Sequence, residues 1–143
     1  MKKIPLILLL IASLGYCDAR SQCAIYKEEE TGIWGAKWDD GKPPYASMDK
    51  IKEAAKKACE DFGGKNCQLF VSGYQIGWWV VVRGRARRGN EEGYLLRVML
   101  FKTENTTEAK EAAEKAAIKE FGEKEGTIPE TAQVFSWYVP GRE

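Results

Sequence analysis

A helical motif occurs twice in this chain of 143 residues and constrains its fold more than any other feature. The first copy is KEAAKKA at residues 52–58, and the second is KEAAEKA at residues 110–116. Both copies continue to a Phe-Gly pair, Phe62-Gly63 and Phe121-Gly122. Such repetition, with strand patterns on both sides, predicts two similar strand-helix-strand units. The competing interpretation is that Lys, Glu and Ala are good helix formers and match by composition alone.

The spacing of apolar residues predicts an α+β protein. Ser47 is a good N-cap for the first helix, whose apolar residues recur at helical spacing until Gly63 ends it. Strand patterns precede and follow each helix, so we expect an antiparallel sheet with two helices packed on one face. The repeats are predicted at residues 24–83 and 94–140, with a basic seam at residues 84–93 between them.

Residues 1–19 have the features of a secretory signal. Two lysines precede an apolar run at residues 4–14, and Ala19 offers a small residue at a position that a signal peptidase reads. The run is shorter than the roughly 20 residues needed to span a bilayer. We therefore predict no membrane span and a periplasmic or secreted chain, with a single domain at residues 20–143.

Two other ways of processing the leader stay open. Cleavage after Gly15 also places small residues at the recognised positions. Alternatively Cys17 is the acylated first residue of a lipoprotein, although Tyr16 is large for the position before it.

The charge of the predicted mature chain is balanced. Removing residues 1–19 takes two lysines and one aspartate from the 22 basic and 21 acidic residues, which leaves no formal net charge. Strong general attraction to nucleic acid or to an anionic membrane is therefore not expected.

Three cysteines remain after cleavage at Ala19, and an exported chain is free to oxidise them. Cys59 lies at the end of the first predicted helix and Cys67 at the start of the next strand, so a bridge between them would close a short turn. Cys23 is then free, joined to another chain, or paired with Cys17 if cleavage follows Gly15.

Several short motifs resemble a bacterial secreted family. TGIWGA at residues 31–36, Ala58-Cys59, and Asn66-Cys67 before an apolar strand are similar to the domain of unknown function 4189. The resemblance covers roughly residues 24–82, and it implies an exported α+β domain with a bridge from Cys59 to Cys67. Members of that family often carry a further cysteine, which residues 73–82 lack. The resemblance supplies no catalytic residues.

The chain contains no histidine, which removes the commonest general base and the commonest zinc ligand. Asp39 and Asp40 are adjacent carboxylates in a loop, a pattern more typical of a solvated turn than of a catalytic pair. Cys59 and Cys67 lack the spacing of a redox pair. We therefore predict no catalytic residue, no metal and no cofactor.

Two groups of residues are candidates for binding a partner. The basic run consists of Arg83, Arg85, Arg87 and Arg88, which either grip an anionic group or keep an exposed segment soluble, with Glu91 and Glu92 near enough to offset part of the charge. The aromatic group consists of Trp79, Phe101 and Trp137, which lie on strands that are apolar on both faces.

Apolar side chains on both strand faces need cover on both sides. If helices cover one face, then a second copy of the chain, another protein or a ligand covers the other, unless loops of the same chain do so. We therefore expect a non-enzymatic binding or interaction module whose partner is a protein or an anionic envelope component, and not a nucleic acid. The alternatives are a periplasmic enzyme that uses Asp39 or Asp40 on envelope polymers, and an inhibitor or immunity protein.

Overall fold

The computed structural model describes residues 22–142, so the predicted signal at residues 1–19 and the alternatives at Gly15 and Cys17 lie outside the described residues. The described residues form six strands and two helices, which confirms the α+β class. In chain order they are β1 (Cys23–Lys27), β2 (Trp34–Trp38), α1 (Met48–Asp61), β3 (Gln68–Gly73), β4 (Gly77–Arg88), β5 (Glu91–Phe101), α2 (Thr107–Glu123) and β6 (Thr127–Val139).

The strands form two antiparallel sheets with the same topology. The strand order is β2-β1-β3 in the first sheet, here called sheet A, and β5-β4-β6 in the second, sheet B. In each sheet the first strand of the unit is central, the next strand pairs along one edge, and the strand after the helix returns along the other. The predicted strand-helix-strand layout is consistent with this arrangement, and each unit has one more strand before its helix.

Each helix packs on its own sheet. Ser47 and Thr106 cap the two helices by accepting hydrogen bonds from the N–H groups of Lys50 and Ala109. Helix α1 lies over sheet A, where Ile51 and Ala55 are buried with Ala24. Helix α2 lies over sheet B, where it buries a second cluster that includes Ala113, Ala117, Phe121, Trp78, Val80 and Val82.

The remaining sheet faces pack against each other. Cys23 and Ile25 of sheet A form one buried cluster with Trp79, Val81 and Trp137 of sheet B. Because side chains alternate along a strand, this cluster and the two helix-side clusters use opposite faces of the same strands. The molecule therefore has four layers, and its helices lie on the two outer faces instead of sharing one.

The basic run is a β-hairpin and not a seam between units. Strand β4 continues to Arg88 and β5 begins at Glu91, with Gly89 in the turn at a φ of 60°. Position 84 needs a glycine, because a Cβ there would come within 2.5 Å of the Phe121 ring. Small residues of this kind conceal the strand pattern in the sequence. The units instead meet at residues 74–76, between β3 and β4.

The predicted bridge between Cys59 and Cys67 is present. Their sulfurs are bonded and their Cα atoms are 6.3 Å apart. The bridge joins the end of α1 to the residue before β3, across a sequence separation of 8. It therefore holds the helix end against sheet A, as the positions of the two cysteines indicate.

Loss of this bridge should lower stability mainly by freeing the unfolded chain. We expect the Cys59→Ser/Cys67→Ser variant to lose about 2.5 kcal/mol of unfolding free energy, measured by urea titration. Reductant should destabilise the wild type by a similar amount and leave the double variant unchanged. Equal unfolding free energies of the wild type with and without reductant, with reduction verified, would contradict the prediction.

Cys23 is buried between the sheets with 0% exposure. Burial raises the pKa of its thiol from an ordinary 9.0 to about 12. Its predicted alternative partner, Cys17, lies outside the described residues.

The buried thiol predicts a loss of stability in alkali. Above a pH of about 9 the unfolded chain releases the Cys23 proton while the folded chain keeps it up to about 12, so unfolding becomes easier as pH rises. Between these two pH values, the contribution of Cys23 to the unfolding free energy should fall by roughly 1.4 kcal/mol per pH unit. Urea titrations of wild type and Cys23→Ala from pH 8 to 10.5 test this, because other titrating groups are common to both. Parallel pH profiles would contradict it.

Candidate functional site

The two sheets differ in length, and this difference leaves part of sheet B uncovered. The strands of sheet A contain 5, 5 and 6 residues, whereas those of sheet B contain 12, 11 and 13. Sheet A therefore covers the inner face of sheet B only along part of its length. The uncovered part carries the β4–β5 hairpin and the middle of β6.

An apolar groove of about 560 Å³ opens where β2, α1 and β6 meet. We call it the aromatic groove and define it by Trp34 and Trp38 of β2, Phe62 after α1, and Phe135 of β6. Phe62 is 72% exposed, Phe135 57% and Trp38 38%. The other lining residues are Gly32, Ile33, Gly35, Ala36, Ala58, Arg83 and Gln133, so Arg83 is the single charged residue among them.

Stacked rings connect the groove to the core. Trp38 stacks on Trp137 with ring centroids 4.7 Å apart, and Trp34 stacks on the same indole at 6.1 Å. Phe135 meets Trp34 edge to face at 5.6 Å. Such ring pairs contribute stability beyond the burial of their apolar area, and they prefer particular ring orientations. Two of the exposed rings, Trp38 and Phe135, are therefore held in place by ring contacts within the chain.

The local sequence explains how these rings come together. Alternation along β2 directs Trp34, Ala36 and Trp38 toward sheet B. Gly35 faces α1, where an added Cβ would come within 2.2 Å of the Cys59 nitrogen. The absence of a side chain at Gly35 thus lets the end of α1 lie directly on the strand. Phe62, three residues after Cys59, then projects beside β2.

The aromatic residues predicted to contact a partner have other positions. Trp79 and Trp137 are 4% and 7% exposed and lie between the sheets. Phe101 is partly buried on the opposite face of sheet B, beside the cluster under α2. Around Trp79 and Trp137, the second face of sheet B is therefore covered by sheet A of the same chain and not by a partner. The exposed rings of the aromatic groove are different residues.

The predicted basic residues are largely engaged within the hairpin and its surroundings. Arg83 donates to the carbonyl oxygens of Gly32 and Thr31, each at 2.9 Å, and stacks over Tyr94. It therefore joins the β1–β2 turn to sheet B. This use of its donors favours a structural role for Arg83 at one end of the groove.

Glu92 binds two further arginines of the hairpin. Its carboxylate accepts from Arg87 at 3.1 Å and from Arg85, and these hydrogen bonds lower the pKa of Glu92. The same contact raises the pKa of Arg85. Arg88 lies beside the turn, opposite Glu91 in the strand register. The charge of the run is thus partly balanced in place, as Glu91 and Glu92 suggest.

Asp39 and Asp40 hold loops in the structure. Asp39 is 5% exposed, and its Oδ2 accepts from Arg142 Nε at 2.9 Å and lies 2.8 Å from Arg142 Nη2, while its Oδ1 accepts from the Gly41 N–H. Asp40 accepts from the Lys42 N–H at 2.9 Å. These contacts give both carboxylates a structural use.

Breaking the Asp39–Arg142 pair should be costly because both side chains are buried. We expect Arg142→Ala to lower the unfolding free energy by about 3 kcal/mol in a urea titration, since it leaves a buried carboxylate unpaired. Adding Asp39→Asn should recover part of this loss. Asp40→Asn keeps the exposed turn acceptor and serves as the control, with a change near zero. Equal effects of Arg142→Ala and Asp40→Asn would contradict the prediction.

Residues 22–142 hold neither a candidate metal cluster nor a helix that could span a membrane. No group of three or more Cys, Asp or Glu side chains in that range could hold a metal ion. No helix in the same range is long and apolar enough to cross a membrane.

Comparisons with known proteins give no relative. No protein-family model, curated protein or solved structure matches this chain. The resemblance to the domain of unknown function 4189 therefore stays a prediction, and the site has to be interpreted from its own geometry.

Sequence reasoning missed the aromatic groove, although part of its signal was present. Alternation places Trp34 and Trp38 on one strand face, and Phe62 stands at the end of the apolar stripe of α1. Nothing local in the sequence indicates that Phe135, about a hundred residues from β2, would join them. Only the packing of one sheet on the other brings that side chain to β2.

Proposed function

We propose that this protein is an exported binding module that holds a segment of another polypeptide in the aromatic groove. The observation that carries the proposal is the exposure of Phe62, Phe135 and Trp38 around one apolar groove. Exposed apolar surface concentrated in a single place is typical of an interaction site, whereas scattered apolar residues are not. Aromatic side chains are also the residues that contribute most when such a site is covered.

Export is part of the proposal. The leader-like residues 1–19 and the bridge between Cys59 and Cys67 support a periplasmic or secreted location, because bridges of this kind persist in oxidising compartments. The first partner to look for is therefore another exported or envelope protein.

An apolar polypeptide fits the groove better than an anionic polymer. Arg83 is committed to two backbone carbonyls, and Arg85 and Arg87 share Glu92. An anionic ligand would have to compete with these contacts. An apolar side chain could instead pack directly on the exposed rings of the groove. An inhibitor or immunity protein would be one form of such a module. Nothing in the described residues favours the carboxylate enzyme.

Capture of exported proteins by three matched variants tests the proposal. Immobilised wild type should retain a partner that Phe62→Ser/Phe135→Ser loses by tenfold or more, because two exposed anchors are removed. Leu69→Ser/Ile118→Ser removes apolar side chains that are 44% and 39% exposed elsewhere, and it should bind as wild type does. The captured protein, quantified by mass spectrometry, is the readout.

The hairpin provides the second comparison. Arg85→Ala/Arg87→Ala/Arg88→Ala should retain the partner if the groove is the site, and lose it if the basic run is. Retention by the groove variant, or equal loss in the groove variant and the Leu69/Ile118 control, would contradict the proposal.

A further inference from the structure

The aromatic groove runs along an open strand edge. Strand β2 pairs with β1 alone among the described strands. The Glu28 N–H donates to the Ile33 oxygen and the Asp39 N–H to the Gln22 oxygen, so Ile33 and Asp39 direct their backbone groups toward β1. Because this direction alternates in an antiparallel ladder, Trp34, Ala36 and Trp38 direct theirs away from β1. An edge of this kind can accept a further strand.

The sequence of this edge is nearly symmetrical about Ala36. Trp34 stands two residues before it and Trp38 two residues after it. If two copies of β2 met in antiparallel register around Ala36, Trp34 of each copy would lie opposite Trp38 of the other. The residues in these opposed pairs are the same ones that direct backbone groups outward, so each pair could exchange two hydrogen bonds.

We propose that the polypeptide held in the aromatic groove is strand β2 of a second copy of this chain, paired about a two-fold axis at Ala36. The inference rests on the proposed function, since it takes the groove to be an interaction surface and names its occupant. The contact is isologous, with the same patch on both subunits, as closed dimers require. It would join the two copies of sheet A into one sheet of six strands.

The same register covers the exposed rings. Phe135 touches Trp34, so it lies beside the position that Trp38 of the second copy takes, opposite Trp34. Trp38, 38% exposed, and Phe135, 57% exposed, would thus cover each other across the axis. Phe62 stands beside Gly35 on the α1 side, and Lys37 of the second copy lies opposite Gly35 in this register. The long Lys37 side chain would reach the Phe62 ring.

Charges also suit this pairing. No carboxylate lines the groove, and Arg83 marks its Gly32 end. The register, continued two residues beyond β2, places the exposed Asp40 opposite Gly32 of the second copy, so its carboxylate would lie at the Arg83 end of that groove. Attraction at that range does not require Arg83 to give up its hydrogen bonds to the Gly32 and Thr31 carbonyls. The two Lys37 residues are diagonal neighbours and not directly opposed, and their side chains can extend into solvent.

Sedimentation velocity of residues 20–143, measured over a range of protein concentrations, tests the pairing. We expect a monomer–dimer equilibrium whose dissociation constant rises tenfold or more in Phe135→Ser and in Ala36→Pro. Ala36→Pro removes an outward N–H that no strand of the same chain uses, so it tests the backbone pairing directly. Leu69→Ser and Ile118→Ser are the matched controls and should leave the dissociation constant unchanged. Circular dichroism verifies that each variant is folded.

Distances between nitroxide labels distinguish this geometry from other dimers. Labels on Lys37→Cys should lie within about 20 Å of each other, because the two residues sit on adjacent strands. Labels on Leu69→Cys of β3 should be more than about 24 Å apart, since five strand spacings separate them in a six-stranded sheet. Cys23 is 0% exposed, so it should not take the label.

The outcomes separate this inference from the proposed function. A chain that stays monomeric at several hundred micromolar, or a dimer with distant Lys37 labels, overturns the β2 pairing. If a monomeric chain still captures an exported protein through Phe62 and Phe135, the proposed function stands without the dimer. If a monomeric chain captures nothing through the groove, both are overturned.

Discussion

The packing of sheet A against sheet B is the interaction on which the rest of the structure depends. Cys23 and Ile25 from one sheet and Trp79, Val81 and Trp137 from the other form a single buried layer. Each unit alone would have one sheet face covered by its helix and the other face open to water. Joining the two open faces completes both cores and leaves the helices on the outside. The same layer supports the rings of the aromatic groove, because Trp137 lies beneath Trp34 and Trp38.

Local features of the fold could be predicted from the sequence because they depend on neighbouring residues. Ser47 caps α1 and accepts from the Lys50 N–H, as its position before an apolar stripe indicates. Cys59 and Cys67 stand on either side of one helix-to-strand turn, so their bridge needs no long-range information. The outcome was different for Trp79 and Trp137. Periodicity shows that both faces of their strands are buried, but it does not show what buries them, and the answer was a second sheet of the same chain.

The two units share a topology but differ in the length of their strands and in how the end of the helix is held. In the first unit the strands are short, and the bridge from Cys59 to Cys67 holds the end of α1 against the sheet. Gly35 has no side chain, so α1 can lie directly on β2. In the second, long strands extend past sheet A and end in the β4–β5 hairpin. A repeat of equal halves would close both ends of the sandwich. The groove exists because the halves are unequal, since only then does part of β6 project beyond β2.

Edge strands in this molecule are not protected equally. Strand β6 carries Pro129 within an irregular stretch where its register to β4 shifts between Arg83 and Arg85, and a proline there discourages further pairing. Strand β2 has neither a proline nor a register shift to β1, and Lys37 is its single charge. The protection of β2 is therefore limited to its length of five residues and the charge of Lys37. The dimer that we propose would use this edge, because one symmetrical contact would pair its backbone groups and cover the exposed rings beside it.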